Sequence, residues 1–86
     1  MLKVGIIDSG LPSSYSACAL TAHDFTGAST TRDQLGHGTA VTRIISNNLS
    51  ADIISARVFH DKLVCTPSQI ADAILWLISM VVDMIN

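Results

Sequence analysis

Two rhythms run through the apolar positions of this chain, and they take turns. Val4, Ile6 and Ile7 form a short β-branched run around Gly5, and they predict a strand over 3–7 that is buried on both faces. Gly10, Pro12 and the serines behind them mark a loop at its C-terminal end. A brief strand is expected at 22–26, and TGASTTRDQLG (26–36) is a polar connection rich in turn formers. From His37 the spacing turns helical: Val41, Ile44 and Ile45 fall on one stripe, and Asn47 and Asn48 are stop residues. ADIISARVF (51–59) predicts a second central strand, followed by a loop or edge strand over 60–65. TPSQ then combines Thr66 as N-cap, Pro67 at the first helical position and Gln69 three residues after the cap. This capping box opens a helix to Ser79 or Met80 along Ile70, Ala73, Ile74 and Leu77, and VVDMIN (81–86) begins another strand.

Strand, helix, strand, helix, strand is the order of an α/β fold, a parallel sheet with crossover helices. Such sheets are covered on both faces and rarely stop at three strands. With the last apolar run ending at Asn86 without cap, turn or polar tail, the chain is expected to be a piece of a larger domain.

Composition sharpens that expectation. An 86-residue chain is one domain at most, and its small size makes stability alone marginal. Yet 49% of its residues are apolar and only 14% charged, which excludes disorder and implies that some apolar surface meets another polypeptide. The five basic residues, Lys3, Arg32, Arg43, Arg57 and Lys62, are scattered, so nucleic-acid binding has no support. The apolar run 74–82 is too short to span a bilayer, and no export signal precedes Val4. No membrane is expected, and the chain is expected to be a cytoplasmic protein without a propeptide. Cys18 and Cys65 are read as free thiols, and no Cys or His pair has metal-ligand spacing. Asp24, Asp33 and Asp61 form no dense run of oxygen ligands, so neither a metal nor any other cofactor is expected. Trp76 and the Ile/Leu stripe read as core packing, and His23 and His60 as surface or loop histidines.

The candidate chemistry lies in VGIIDSG (4–10), where a buried strand ends in Asp8. One use of such an Asp is the acid dyad of aspartic proteases, in which two Asp-Ser/Thr-Gly loops share a proton. That reading requires a β half-barrel and a second motif from this chain or a dimer mate, and the two well-signalled helices speak against it. The other use is to steady a histidine. LGHGTAVTRII (35–45) provides His37, set between two glycines at a helix start.

Asp-Ser-Gly after an apolar strand, followed by Gly-His-Gly-Thr opening a helix, resembles the subtilisin-like serine proteases, whose triad runs Asp, His, Ser along the chain. The likeness continues through ISARVF, SQIADAILWLI and VVDMIN, and so covers nearly the whole chain. It implies a three-layer subtilisin-like domain of which residues 1–86 are the N-terminal segment. In it Asp8 would orient His37, and His37 would serve a serine as general base. Lys62, Leu63, Val64 and Cys65 match the edge that holds an extended peptide by backbone hydrogen bonds.

The chain also departs from that pattern. No Gly-Thr-Ser follows, so the nucleophile is expected from a downstream segment or a second chain, left associated after a cut behind Asn86. Ser29 stands between Asp8 and His37, in the wrong order for the nucleophile, and Asn86 is too early to be the oxyanion donor. Arg43 occupies a position where the family usually has glycine. The implied function is therefore part of a serine endopeptidase, inactive by itself, that matures peptides. The alternative is a non-catalytic truncated relative that binds peptides or proteins.

Overall fold

The computed structural model of the chain describes residues 1–15 and 21–86; the reading of Cys18 lies outside them. The strands are β1 (Leu2–Asp8), β2 (Ala22–Asp24), β3 (Ala51–Arg57) and β4 (Met84–Ile85), and the helices are α1 (His37–Asn48) and α2 (Pro67–Ser79). The four strands form one sheet in the order β2-β3-β1-β4, parallel throughout. The α/β class expected from the alternating periodicities is the fold observed. β1 and β3 are paired along their whole length, from Leu2 opposite Ala51 to Asp8 opposite Arg57.

The sheet has an apolar cluster on each side. Val4, Ile6, Leu11, Ala22 and Ile53 pack with Val41 and Ile45 of α1, whereas Ile54, Ala56 and Val58 pack with Ala73 and Leu77 of α2. Neighbouring residues Ile53 and Ile54 serve opposite clusters because successive side chains of a strand point to opposite faces. The helices therefore cover the two faces of the sheet, and β1 and β3 read as continuous apolar runs because they are buried on both.

Four expectations need correction. Ile44 is 64% exposed and lies off the packed stripe of α1. The buried face instead follows Gly38, Val41, Thr42 and Ile45, the i, i+3, i+4, i+7 rhythm that starts from the small residue, not from the aliphatic ones. In α2, Ile70, Ala73, Trp76 and Leu77 face the core while Ile74 is exposed. β2 stops at Asp24, whose carboxylate draws the chain into a turn by accepting from the Thr26 and Ser29 amides. The last strand does not begin at Val81: that residue is left-handed, with φ 57°, and ends α2. Pairing resumes only where the Asp83 amide donates to Lys3 O, and the strand itself is Met84–Ile85.

The capping box forms as expected. The Gln69 amide donates to Thr66 Oγ1 at 3.1 Å, and the Thr66 amide donates to Gln69 Oε1 at 2.8 Å. Residues 60–65 are an irregular loop and the edge-strand option is not taken, because β3 already has β1 on one side and β2 on the other. Arg43 projects to solvent from α1. Among the described residues, no helix is long and apolar enough to cross a membrane.

Candidate functional site

The C-terminal ends of parallel strands are where open α/β sheets build their sites, and here that edge is polar. β1 delivers Asp8 to it, β3 delivers Arg57 and β2 delivers Asp24, in register with one another. His37 opens α1 at the same edge, and Lys62, Leu63, Val64 and Cys65 lie on the loop that follows β3.

His37 Nδ1 lies 2.9 Å from both carboxylate oxygens of Asp8. The Asp8 side chain is 7% exposed and that of His37 53%, so the pair has one closed and one open end. An ionised carboxylate only accepts, which makes Nδ1 the donor. In the neutral imidazole Nε2 then carries the lone pair, and no described residue hydrogen-bonds it. The pair is thus a base held in one tautomer, with its reactive nitrogen free. The main chain of Asp8 is held as well, since its carbonyl accepts from the Val58 and Phe59 amides at 2.9 and 3.4 Å.

What brings two residues so far apart in sequence together is Ser9, which is fully buried. Its amide donates to Asp8 Oδ1 at 2.7 Å, and its hydroxyl donates to Asp33 Oδ1 at 2.7 Å while accepting from the Gly38 amide at 2.8 Å. Its carbonyl accepts from Arg57 Nε at 3.0 Å. Every polar group of Ser9 is therefore engaged, and each bond reaches a different part of the site.

Asp33 does the capping that the N-cap residue of α1 cannot. Gly36 has no side chain, and its φ of 94° is the left-handed turn that swings the chain into the helix. Asp33 Oδ1 accepts from the Leu35 and Gly36 amides at 2.9 and 3.0 Å, and Oδ2 accepts from the Thr39 amide at 2.8 Å. A carboxylate among the free N–H groups of a helix start is favoured by their partial positive charge. Burial works to raise the Asp33 pKa, but the hydrogen bonds from the Thr39 and Ser9 side chains, with the Leu35 and Thr39 amides, outweigh it. The carboxyl is held well below the usual carboxylate range.

The glycine after His37 answers to a different need from the one before it. A Cβ on Gly38 would run into the Gly10 carbonyl oxygen and stand 2.9 Å from Ser9 Oγ. Asp-Ser-Gly and Gly-His-Gly are therefore two halves of one contact, closed backbone against backbone. Nothing lies within 4 Å of a Cβ on Gly36, whose requirement is conformational alone.

A second network braces the first. Arg57 is fully buried, and its Nη1 donates to Asp24 Oδ1 at 3.1 Å and to Thr26 Oγ1 at 2.9 Å. Its Nη2 lies 2.8 Å from His60 Nδ1. Burial pushes the Asp24 carboxyl upward, and the Thr26 hydroxyl and amide, Arg57 and the Ser29 amide more than offset it, leaving the pKa below its ordinary value. Ser29 belongs to this turn: its amide is engaged by Asp24, and no described hydrogen bond joins it to His37. The buried, His37-bound carboxylate of Asp8 in an all-parallel sheet also leaves no β half-barrel for an acid dyad.

Lys62, Leu63 and Val64 are exposed on the loop after β3, and Cys65 is half-buried against the α2-side cluster, its thiol free. Because β1 and β3 run parallel in register, this loop leaves the sheet at the same edge as Asp8. Its first amides, Val58 and Phe59, donate to the Asp8 carbonyl, but no described hydrogen bond links residues 60–65 to the Asp8–His37 pair. Among the described residues, no three His, Cys, Asp or Glu side chains are grouped to hold a metal ion. His23 lies against Phe25 with the rings tilted by 59° and their centroids 4.6 Å apart, beside Trp76 at 5.6 Å.

Sequence reasoning picked out Asp8 and His37 and passed over Ser9, Asp33, Arg57 and His60. The signal for Asp33 was legible, an acidic residue just ahead of a helix start. Those for Arg57 and His60 were not, since they depend on the strand order. No family model, no curated protein and no solved structure matches the chain.

Proposed function

We propose that the chain is the N-terminal part of a subtilisin-like serine endopeptidase and contributes two members of its triad. The observation that carries this reading is the Asp8–His37 pair, with Nδ1 held by a buried carboxylate and Nε2 free at the open end. In the reaction, Nε2 takes the proton of a serine hydroxyl as its oxygen attacks the peptide carbonyl. The resulting imidazolium is stabilised by Asp8, and the proton passes on to the leaving amine. The serine comes from a downstream segment or a second chain that completes the domain. The surface such a polypeptide would cover is the open edge of β4, where Met84 and Ile85 are exposed, together with Ile78 and Val81 beside them. The loop carrying Lys62, Leu63, Val64 and Cys65 lines the substrate path.

Capture of the chain under native conditions, fluorophosphonate labelling and intact-mass analysis test the proposal. A labelled companion polypeptide is expected, with labelling lost in His37→Ala. A lone, unlabelled 9.1 kDa species without peptidase activity would sink it. One observation favours the second reading, a peptide- or protein-binding module: Leu63 and Val64, 53% and 68% exposed, present an apolar strip to solvent.

A further inference from the structure

The loop between β3 and α2 is tied firmly at both ends and barely in between. Upstream, the Val58 and Phe59 amides donate to Asp8 O. Downstream, Thr66 and Gln69 close the capping box. Among the described residues, residues 60–65 make one hydrogen bond, between His60 Nδ1 and Arg57 Nη2 at 2.8 Å.

The chemistry of that bond allows one arrangement. A guanidinium has N–H donors and no acceptor, so His60 Nδ1 must be the acceptor and the neutral ring must carry its proton on Nε2. A protonated His60 has a donor at both nitrogens and a positive charge beside a second one. The bond then becomes a repulsion.

The groups that face this pair decide which side yields. Arg57 is held by Asp24 and Thr26, from the end of β2 and the turn after it, and by the Ser9 carbonyl behind β1. Asp24 supplies the negative charge, and its depressed pKa keeps it ionised throughout the range in which histidine titrates. Asp61 and Lys62 follow His60 in the loop, and neither makes a described hydrogen bond to the imidazole. Arg57 therefore stays in place when His60 is protonated, and the loop moves.

We propose that His60 is a positioning residue for Asp61–Val64, held through Arg57 and released by its own protonation. Arg57 touches Ser9 with Nε and His60 with Nη2. The same side chain thus joins the segment that holds Asp8 to the loop assigned to the substrate. In naming Lys62–Cys65 as the strip that holds an extended peptide, the inference rests on the endopeptidase reading. The coupling itself does not.

NMR of the full chain tests it between about pH 8 and about pH 5, where histidine changes charge. The readout is the heteronuclear 15N NOE of Leu63 and Val64, because a nearby charge shifts resonances without loosening the backbone. The expected result is a fall in that NOE at the midpoint of the His60 Cε1 titration, with the Arg57 Nε–H signal retained. In His60→Asn, whose Oδ1 stands where Nδ1 stood and accepts without titrating, the NOE should stay at its high-pH value throughout. A flat NOE in the unsubstituted chain while His60 changes charge overturns the proposal, as does an unchanged step in His60→Asn. Failure of fluorophosphonate labelling with this coupling intact would remove the protease reading alone. The opposite pair of results would remove the coupling alone.

Discussion

Replacing Asp33 by Asn is the most informative single change, because it keeps the side chain's shape and removes only its charge and one acceptor. Oδ1 keeps its partners, the Ser9 hydroxyl and the Leu35 and Gly36 amides. Oδ2 becomes an NH2 group aimed at the Thr39 amide it used to accept from. Losing a helix-start acceptor costs about 0.5–2 kcal/mol, and a hydrogen bond to a charged group is worth about 1.5–3 kcal/mol. With the Ser9, Leu35 and Gly36 contacts kept and only those to Thr39 disturbed, the expected loss is about 1–2 kcal/mol at neutral pH. The pH dependence has a definite sign. The folded carboxyl titrates well below its unfolded value of about 3.9. Its contribution is thus fully present above the unfolded value and is lost as pH falls toward the folded one, between about pH 5 and about pH 1. Asp24 is depressed in both proteins and cancels in the difference. Urea unfolding followed by circular dichroism at pH 7 and at about pH 2.5, within that window, reads the gap directly. It should be full at neutral pH and clearly narrower in acid. An equal gap at both, or none at pH 7, would refute the account of Asp33 as the charged cap of α1.

Three further outcomes follow from the geometry. Gly38→Ala should separate α1 from the end of β1 at a cost of about 1–3 kcal/mol, with the His37 Nδ1–H resonance lost from the NMR spectrum. Arg57→Met takes from the Asp24 carboxylate its cation, leaving only the Thr26 and Ser29 donors, and should cost about 3–5 kcal/mol in chemical denaturation. Val81→Gly should raise stability by about 1–2 kcal/mol, read as a higher urea midpoint. Val81 is left-handed and 74% exposed, so the change relieves strain and gives up little burial.

How much of this was legible in the sequence depends on the range of the forces involved. The capping box of α2 uses residues within one turn, and it was read correctly down to the hydrogen-bond partners. The parallel sheet followed from alternating periods. Where the reading failed, a neighbour outside the local window decided. Ile44 looks like a core residue by hydropathy, yet the helix docks through Gly38 because only a glycine lets α1 reach Gly10 and Ser9. Val81 belongs to an apolar run, but α2 needs a left-handed residue to finish, and the chain has no glycine there.

The site shows the same division more sharply. Asp8 and His37 were visible because each sits in a short motif, and their chemistry is carried by the residue type. Ser9 and Arg57 were invisible for the opposite reason. A serine beside an Asp reads as a turn former, and a lone arginine inside an apolar run reads as one more scattered basic residue. Only once β1 lies beside β3 does Arg57 Nε meet the Ser9 carbonyl, 48 residues away in sequence. Only once α1 docks does the Ser9 hydroxyl stand between the Gly38 amide and Asp33. The serine of Asp-Ser-Gly is therefore explained without any role as a nucleophile. It has one donor and one acceptor on a single short side chain, and the carboxylate of Asp33 and the amide of Gly38 require both at once. Alanine would leave the Gly38 amide and the Asp33 carboxylate each without that partner at the closest contact between α1 and β1. Aspartate could accept from Gly38 but would face Asp33 with a like charge.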